Sequence, residues 1–217
     1  MTTPSATKTR LALSVLLLLP AACDRAAPVA ADDAPKAQAT AVATPPPTTA
    51  KPASWALPAT AIAAQPDLVR APDGSLLLSW VEPQTKGHAL KFARYANGAW
   101  GAPREIARGD DWFVNWADTP HIVQTRDGAL WTHWLQKSAK ATYAYDVALV
   151  RSGDGGATWS KPMLVNDDGT PTEHGFVSLW PASDDRAGVA WLDGRHSAGG
   201  HGGHGGHGGG MTLRTGP

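Results

Sequence analysis

The feature that most constrains the fold of this chain is an internal repeat. PDLVRAPDGSLLLSWVE (66–82) aligns without a gap with PHIVQTRDGALWTHWLQ (120–136), and VSLWPASDDRAGVAWLD (177–193) is a third, weaker copy. Trp80, Trp134 and Trp191 coincide in this alignment, at spacings of 54 and 57 residues. A period of this length predicts an array of similar supersecondary units.

Each repeat unit is predicted to contain four short β-strands. Asp-Gly pairs at 73–74 and 127–128 stand between apolar runs, as in a hairpin, and FARYANGAWGAPREI (92–106) matches LVRSGDGGATWSKPMLV (149–165) in the second half of the unit. Four strands in about 55 residues is the pattern of a β-propeller blade. We therefore expect an all-β fold, a partial propeller over 65–217, with blades at about 66–109, 120–169 and 175–217, the last one incomplete.

The N-terminus carries a predicted export signal. Lys8 and Arg10 precede the apolar run LALSVLLLLP (11–20), which is too short to span a bilayer. LPAAC (19–23) resembles the lipobox of bacterial lipoproteins, which implies cleavage after residue 22 and lipidation of Cys23. The expected location is the bacterial cell envelope, anchored in a membrane by this lipid. Ordinary secretion with a free thiol is the alternative.

The segment 23–64 is predicted to be a disordered tether. Of the 41 residues from Asp24 to Ala64, 28 are Ala, Pro or Thr, a composition that cannot bury a core. The chain as a whole has no net charge, which gives no reason to expect a nucleic-acid partner. Its single cysteine excludes an intramolecular disulfide, and no cofactor is predicted.

The stretch RSGDGGATWS (151–160) resembles a known turn motif. Ser152, Asp154, Gly156, Thr158 and Trp159 fit S-x-D-x-G-x-T-W, the Asp box of the sialidase and BNR-repeat propellers. Polar side chains can hydrogen-bond the backbone of such a turn, and glycine supplies a positive φ. The tryptophan is expected to pack between blades. The resemblance covers residue 66 to the C-terminus and implies that this box is structural.

Functional sites of that family lie on the opposite face of the propeller. Here this face should hold the loops near 82–89, 109–119, 136–145, 167–175 and 192–210. GDDWFVNWADTPH (109–121) is the richest of these segments, because its aromatic rings could stack on a sugar while its polar groups bind hydroxyls or move a proton. Its candidate ligand-binding residues are Trp112, Asn115, Trp116 and Asp118. The alternative is a blade connection with a capping Asp and a core Trp.

A second candidate lies in WLDGRH (191–196). Asp193 and Arg195 flank a glycine, and the arginine could bind a substrate carboxylate in a bidentate manner. An ordinary Asp–Arg turn pair is the alternative.

The resemblance also implies an enzyme class. Sialidases use three arginines, an Asp acid/base and a Tyr–Glu nucleophilic pair. Asp110 and Asp111 are the candidate acid/base residues. AAQPDLV (63–69) and WVEPQTKG (80–87) lack the first two arginines, and the Tyr–Glu pair is expected beyond this chain. The two function hypotheses are therefore a glycoside hydrolase and a non-catalytic module that binds a glycan or a protein.

The glycine-rich segment RHSAGGHGGHGGHGGG (195–210) places His201, His204 and His207 three residues apart. Neutral imidazoles on a loop can chelate Zn, Cu or Ni, and a low-complexity insertion within the third blade is the alternative. MTLRTGP (211–217) resembles the strand before another Asp box. Because propellers close with about four to eight blades, we expect the N-terminal portion of a longer protein, or self-association through open strand edges if the truncation is real.

Overall fold

The computed structural model describes residues 55–197 and 211–216, and these residues form an all-β structure of three antiparallel sheets. Within these ranges no helix is long and apolar enough to cross a membrane. The first sheet contains β1 (Ala64–Arg70), β2 (Leu76–Pro83), β3 (His88–Ala96), β4 (Ala99–Trp100) and β5 (Arg104–Gly109); the second contains β6 (Ile122–Gln124), β7 (Leu130–Lys137), β8 (Tyr145–Ser152) and β9 (Met163–Leu164); the third contains β10 (His174–Pro181), β11 (Ala187–Asp193) and β12 (Thr212–Gly216).

The Asp-Gly pairs form the first turn of the first two sheets, as the repeat predicts. Gly74 and Gly128 have φ angles of +84° and +89°, which favour glycine. Asp73 accepts a hydrogen bond from the Ser75 amide at 2.9 Å, and Asp127 accepts one from the Ala129 amide at 3.0 Å. The same local chemistry therefore closes the β1–β2 and β6–β7 hairpins.

The three repeated tryptophans occupy equivalent places in the second strand of each sheet. The Trp80 indole donates to Glu82 at 2.8 Å. In the second sheet Trp134 donates to Gln136, and in the third Trp191 donates to Asp193, both at 3.1 Å. Each sheet thus satisfies a buried indole with a side chain two residues further along the strand, because alternate residues share a face.

The sheets pack face to face in chain order. One apolar cluster joins the first sheet to the second, and another joins the second sheet to the third. This succession of small antiparallel sheets is the architecture of consecutive propeller blades, so the predicted partial propeller is confirmed. The first cluster is built on Leu77, Val81, Leu90, Phe92, Ile106, Ile122, Leu130, Trp134, Ala148 and Val150; the second on Leu135, Tyr145, Val147, Val177, Val189 and Trp191.

The turn at residues 152–159 satisfies its own polar groups. Asp154 accepts hydrogen bonds from the Ala157 and Thr158 amides at 3.0 and 2.9 Å and from the Thr158 hydroxyl at 2.6 Å. Ser152 accepts the Gly156 amide at 2.8 Å. These bonds hold the pKa of Asp154 well below its usual range, the Thr158 hydroxyl contributing most. Both carboxylate oxygens of Asp154 therefore accept hydrogen bonds within the turn, which fits a structural role.

The end of this turn packs between the first two sheets. The Trp159 ring meets the Phe92 ring edge-on, with centroids 6.0 Å apart. Gly156 lies directly over Phe92, so a methyl group at this position would overlap the ring. The backbone φ of Gly156 is +89°, which adds a second reason for glycine here.

The folded part begins earlier than the predicted end of the tether at residue 64. Trp55 packs against Tyr95 and Trp100, with ring centroids 4.5 and 5.2 Å away, and Ala59 and Ala63 pack on the same face of the first sheet. The tryptophan supplies apolar area that the neighbouring Ala and Pro residues lack. The predicted signal, Cys23 and the rest of the tether lie outside the described residues.

Candidate functional site

The predicted site residues lie at one end of the sheets. Because antiparallel strands alternate in direction, the β2–β3, β7–β8 and β11–β12 loops share this end with the β5–β6 and β9–β10 connectors. We call this end the loop face. His201, His204 and His207 fall in the β11–β12 loop but outside the described residues.

The β5–β6 connector runs beside β7 for its first residues. The Phe113 amide donates to the Leu135 carbonyl and the Lys137 amide to the Asp111 carbonyl, both at 2.9 Å. This pairing turns Trp112 inward, where its indole stacks on Trp134 with centroids 5.1 Å apart and is only 9% exposed. Trp112, a candidate ligand-binding residue, is therefore the core tryptophan that the sequence left as the alternative, because its ring packs on Trp134.

The two candidate acid/base residues are exposed at the start of this connector. Asp110 forms an ion pair with Lys86 of the β2–β3 loop. The Lys86 ammonium holds the pKa of Asp110 below its usual range, so the carboxyl is ionised at neutral pH and cannot supply a proton there. The backbone of Asp111 pairs with β7, while its side chain faces solvent.

The next residues of the connector form a pinned turn. The Asn115 side chain accepts the Ala117 and Asp118 amides at 2.7 and 3.0 Å. From β1, the Gln65 amide group donates to the carbonyls of Asn115 and Asp118. Trp116 stands on this turn with 94% of its surface exposed. A large apolar side chain is thus presented to solvent by a backbone that is hydrogen-bonded on both sides.

Asp118 is buried and connects the turn to the third sheet. Its carboxylate accepts the Phe176 amide of β10 and, at 3.3 Å, the side-chain amide of Asn115. With its oxygens directed at these donors, Asp118 positions the surrounding backbone. A buried carboxylate engaged in this way does not match the predicted direct contact with a ligand.

Two non-glycine residues with positive φ flank Asp118. Gln65 in β1 has φ +52° and Phe176 in β10 has φ +51°, each at an irregularity in the strand pairing. Such conformations cost about 1–3 kcal/mol each and concentrate at functional sites. The Phe176 ring is 48% exposed. We call Gln65, Asn115, Trp116, Asp118 and Phe176 the rim.

A Tyr–Glu pair lies beside the rim. The Tyr145 hydroxyl donates to Glu173 at 2.6 Å, although these residues are 28 positions apart. Burial and the neighbouring Glu173 raise the pKa of Tyr145, so the hydroxyl stays protonated. The resemblance to sialidases implied a nucleophilic Tyr–Glu pair beyond this chain; in the pair found here the fully buried Tyr145 orients Glu173.

Asp193 and Arg195 form the turn pair that the sequence left as an alternative. The guanidinium donates to the two oxygens of Asp193 at 2.7 and 2.8 Å and to Asp167 at 3.0 Å. Burial opposes the ionisation of Asp193, but the hydrogen bonds from Arg195 and from the Trp191 indole keep its pKa below the usual range. Arg195 is thus occupied by protein carboxylates.

Sequence reasoning missed several residues that the fold brings together. Tyr145, Asp168, Glu173 and His174 meet at the loop face although their sequence neighbourhoods match no motif. The signal that could have found them is their position in the repeat, since Tyr145 and His174 are the first residues of β8 and β10. His133 is buried in β7, where its Nε2 accepts the His121 amide at 3.0 Å.

Comparisons with known proteins give distant structural likeness only. No protein-family model and no curated protein sequence matches the chain. Among solved structures, the chain is similar to an endo-arabinase from Bacteroides thetaiotaomicron, with 15% identity and a TM-score of 0.45 over 70% of this chain and 55% of that one. It is also similar to the Hadza microbial sialidase Hz136, with 16% identity and a TM-score of 0.38 over 60% of this chain and 35% of that one.

A further structure, the α-L-arabinanase of Penicillium chrysogenum complexed with arabinobiose, is 18% identical, with a TM-score of 0.40 over 63% of this chain and 43% of that one. The chain thus spans about a third to about a half of the length of these proteins. At these identities the likeness concerns the fold alone.

Proposed function

We propose that the rim binds a glycan and that the chain is a glycan-binding propeller module. The observation that supports this proposal best is Trp116, which is 94% exposed on a turn held by Asn115 and Gln65. An exposed indole on a fixed backbone loses little conformational freedom when a flat ligand stacks on it.

The surroundings of Trp116 favour a sugar over a purely apolar ligand. Phe176 adds a second half-exposed ring at the rim, and Asp111 and Glu173 are carboxylates elsewhere on the loop face that can accept hydrogen bonds from hydroxyl groups. A pyranose has an apolar face for the rings and hydroxyls around its edge for these acceptors. Binding sites of small ligands combine apolar walls with a few polar groups in this way.

The contacts of the candidate catalytic residues favour binding over hydrolysis. Asp110 is held ionised by Lys86, and Arg195 is engaged by Asp193 and Asp167. Neither arrangement leaves a proton donor or a free guanidinium for a substrate. The hypothesis of a sialidase-like hydrolase therefore keeps Asp111 as its acid/base candidate, since Asp110 is paired with Lys86.

A glycan array with matched tryptophan variants tests the proposal. The full chain should bind a subset of sialylated or neutral oligosaccharides, and Trp116→Ala should weaken that binding at least tenfold, as expected for loss of a stacked aromatic anchor. Trp180→Ala is the control, because Trp180 is also partly exposed but lies at the other end of β10. Equal binding by the parent and Trp116→Ala would contradict the proposal that the rim is the glycan-binding site.

Turnover assays separate the binding module from the enzyme. The proposal predicts that the full chain does not hydrolyse fluorogenic sialosides or arabinosides. Turnover that is abolished in Asp111→Asn but retained in Trp116→Ala would instead support the hydrolase hypothesis.

We also propose that the module is held at a membrane of the bacterial cell envelope through lipidated Cys23. The support is the sequence LPAAC (19–23) after an apolar run. Metabolic labelling with a palmitate analogue should tag the protein, and Cys23→Ser should abolish the label and shift the protein from the membrane to the soluble fraction. Labelling that survives in Cys23→Ser would contradict this anchor.

A further inference from the structure

A second polar cluster lies at the loop face, between the second and third sheets. Asp168 belongs to the β9–β10 connector, His174 is the first residue of β10, and Asp193 is the last residue of β11. His174 and Asp193 are fully buried, and the Asp168 side chain is 7% exposed. One ligand atom from each of the three lies within 4.8 Å of the others.

The hydrogen bonds of His174 fix which ring nitrogen carries the proton. Its Nδ1 lies 3.1 Å from the Tyr145 carbonyl oxygen and 3.5 Å from an oxygen of Asp146. A carbonyl oxygen can only accept, so Nδ1 is the protonated nitrogen of the neutral ring. In the neutral form of the ring, which metal binding requires, the lone pair of Nε2 points into the cluster. Metal-binding histidines are oriented by the same kind of bond from the second nitrogen.

Nε2 has no hydrogen-bond partner although it is fully buried. It lies 3.1 Å from Asp168 Oδ1 and 3.8 Å from Asp193 Oδ1, but neither oxygen lies in hydrogen-bonding geometry with it. A buried nitrogen without a partner is costly and rare. Carboxylate oxygens around a lone pair add repulsion, which a cation between them would convert into attraction.

The separations fit ligands that share one metal ion. With bonds of about 2.1 Å, two ligands of a tetrahedral ion are about 3.4 Å apart. The two Nε2–oxygen distances, 3.1 and 3.8 Å, lie on either side of this value. If the ion lies on the lone-pair axis of His174 Nε2, its other tetrahedral ligands lie off that axis. The Asp168 and Asp193 oxygens are then not in line with the lone pair, which agrees with the absence of hydrogen-bonding geometry between them and Nε2.

The ligand candidates are themselves held in place. Thr170 donates its hydroxyl to Oδ2 of Asp168, and the Asn166 side-chain amide donates to Oδ1 at 3.4 Å, the oxygen that lies 3.1 Å from His174 Nε2. Asp193 is oriented by the Trp191 indole and by Arg195. Supporting hydrogen bonds of this kind are typical of metal ligands.

The local charge also favours a divalent cation. Three carboxylates that are at most 12% exposed, two guanidinium groups and the His174 imidazole in its neutral form leave one negative charge in the cluster. Buried charge without a counter-charge is strongly unfavourable. The carboxylates are those of Asp146, Asp168 and Asp193, and the guanidinium groups are those of Arg195 and Arg214. Asp167, which also pairs with Arg195, is 87% exposed.

We propose that Asp168, His174 and Asp193 bind a divalent cation of the Zn²⁺ or Mn²⁺ class. One imidazole nitrogen and two carboxylate oxygens suit these ions, whereas Ca²⁺ and Mg²⁺ prefer oxygen ligands throughout. The ion joins the connector that leaves the second sheet to two strands of the third. Its binding therefore stabilises the junction between two blades.

The test uses the full chain with His201→Gln, His204→Gln and His207→Gln, so that the glycine-rich loop contributes no imidazole. After removal of metal with EDTA, titration calorimetry with ZnCl₂ and with MnCl₂ should show one equivalent bound for at least one of the two ions, and the midpoint of thermal unfolding should rise with its concentration. His174→Gln should abolish both effects, and Asp168→Asn should weaken binding at least tenfold. His88→Gln, in the first sheet, is the control and should bind like the parent.

Two results would overturn the proposal. One is a folded parent that binds neither ion stoichiometrically; the other is a folded His174→Gln variant that binds like the parent. If His174→Gln does not fold, Co²⁺ added to the folded parent decides the question. Visible d–d absorption without thiolate bands supports the site, and a spectrum identical to free Co²⁺ contradicts it.

Discussion

Trp112 and Trp116 stand four residues apart in the same connector, yet their indoles are 9% and 94% exposed. The sequence makes both candidates for ligand binding, since both are tryptophans beside acidic residues, with a core tryptophan as the alternative. The difference arises from the backbone: residues 111–113 pair with β7, whereas Asn115 closes a turn that leaves the pairing. Backbone hydrogen bonds thus decide which aromatic ring packs in the core and which one is exposed to solvent.

Replacing each of these tryptophans by alanine should give the largest contrast. Trp112→Ala removes a ring stacked on Trp134 and should lower the free energy of unfolding by about 4 kcal/mol. Trp116→Ala should change it by less than about 0.5 kcal/mol. Urea unfolding followed by circular dichroism measures both values. Similar losses in the two variants would contradict the distinction between a core ring and an exposed ring.

Adjacent glycines in the 152–159 turn offer a second contrast. Both Gly155 and Gly156 have positive φ, but only Gly156 lies against Phe92. Gly156→Ala should cost about 3 kcal/mol, because overlap with a core ring adds to backbone strain. Gly155→Ala should cost about 1 kcal/mol, from strain alone. Chemical denaturation of the two variants under one set of conditions compares them, and equal costs would mean that Phe92 moves aside.

The buried histidine of β7 should give a smaller, pH-dependent effect. Burial lowers the pKa of His133 from 6.5 to about 3. Between these values the unfolded chain binds more protons than the folded one, so the stability contribution is complete above pH 6.5 and is lost as the pH falls. His133→Gln should therefore reduce the stability loss between pH 6.5 and 5.5 by about 1 kcal/mol. Parallel pH profiles for the variant and the parent would contradict this.

The fold followed from the sequence to a large extent because its signals are local. Asp-Gly turns, strand periodicity and the spacing of Trp80, Trp134 and Trp191 each act within a few residues, and all of them recur. The bonds within the turn at Asp154 are local for the same reason. Each of these signals is weak alone. Because they recur together in successive repeats, their combination identified the propeller fold.

The site followed less well because its contacts are long-range. Gln65 reaches Asp118 across 53 positions, and Tyr145 reaches Glu173 across 28. No residue pattern in either segment marks its partner. Arg195 likewise donates a hydrogen bond to Asp167, which lies in a different segment, the β9–β10 connector. Side chains that looked available in the sequence are therefore engaged in the fold, and the His174 cluster matched no motif.

The measurement that tests the central claim most directly is the indole N–H NMR spectrum of the full chain with and without a glycan selected on the array. The Trp116 signal is assigned by its absence in Trp116→Phe. We expect this signal to shift on addition of the glycan, while the signals of the buried Trp80 and Trp134 indoles stay in place. A glycan that binds without moving the Trp116 signal would contradict the proposal that the rim is the binding site.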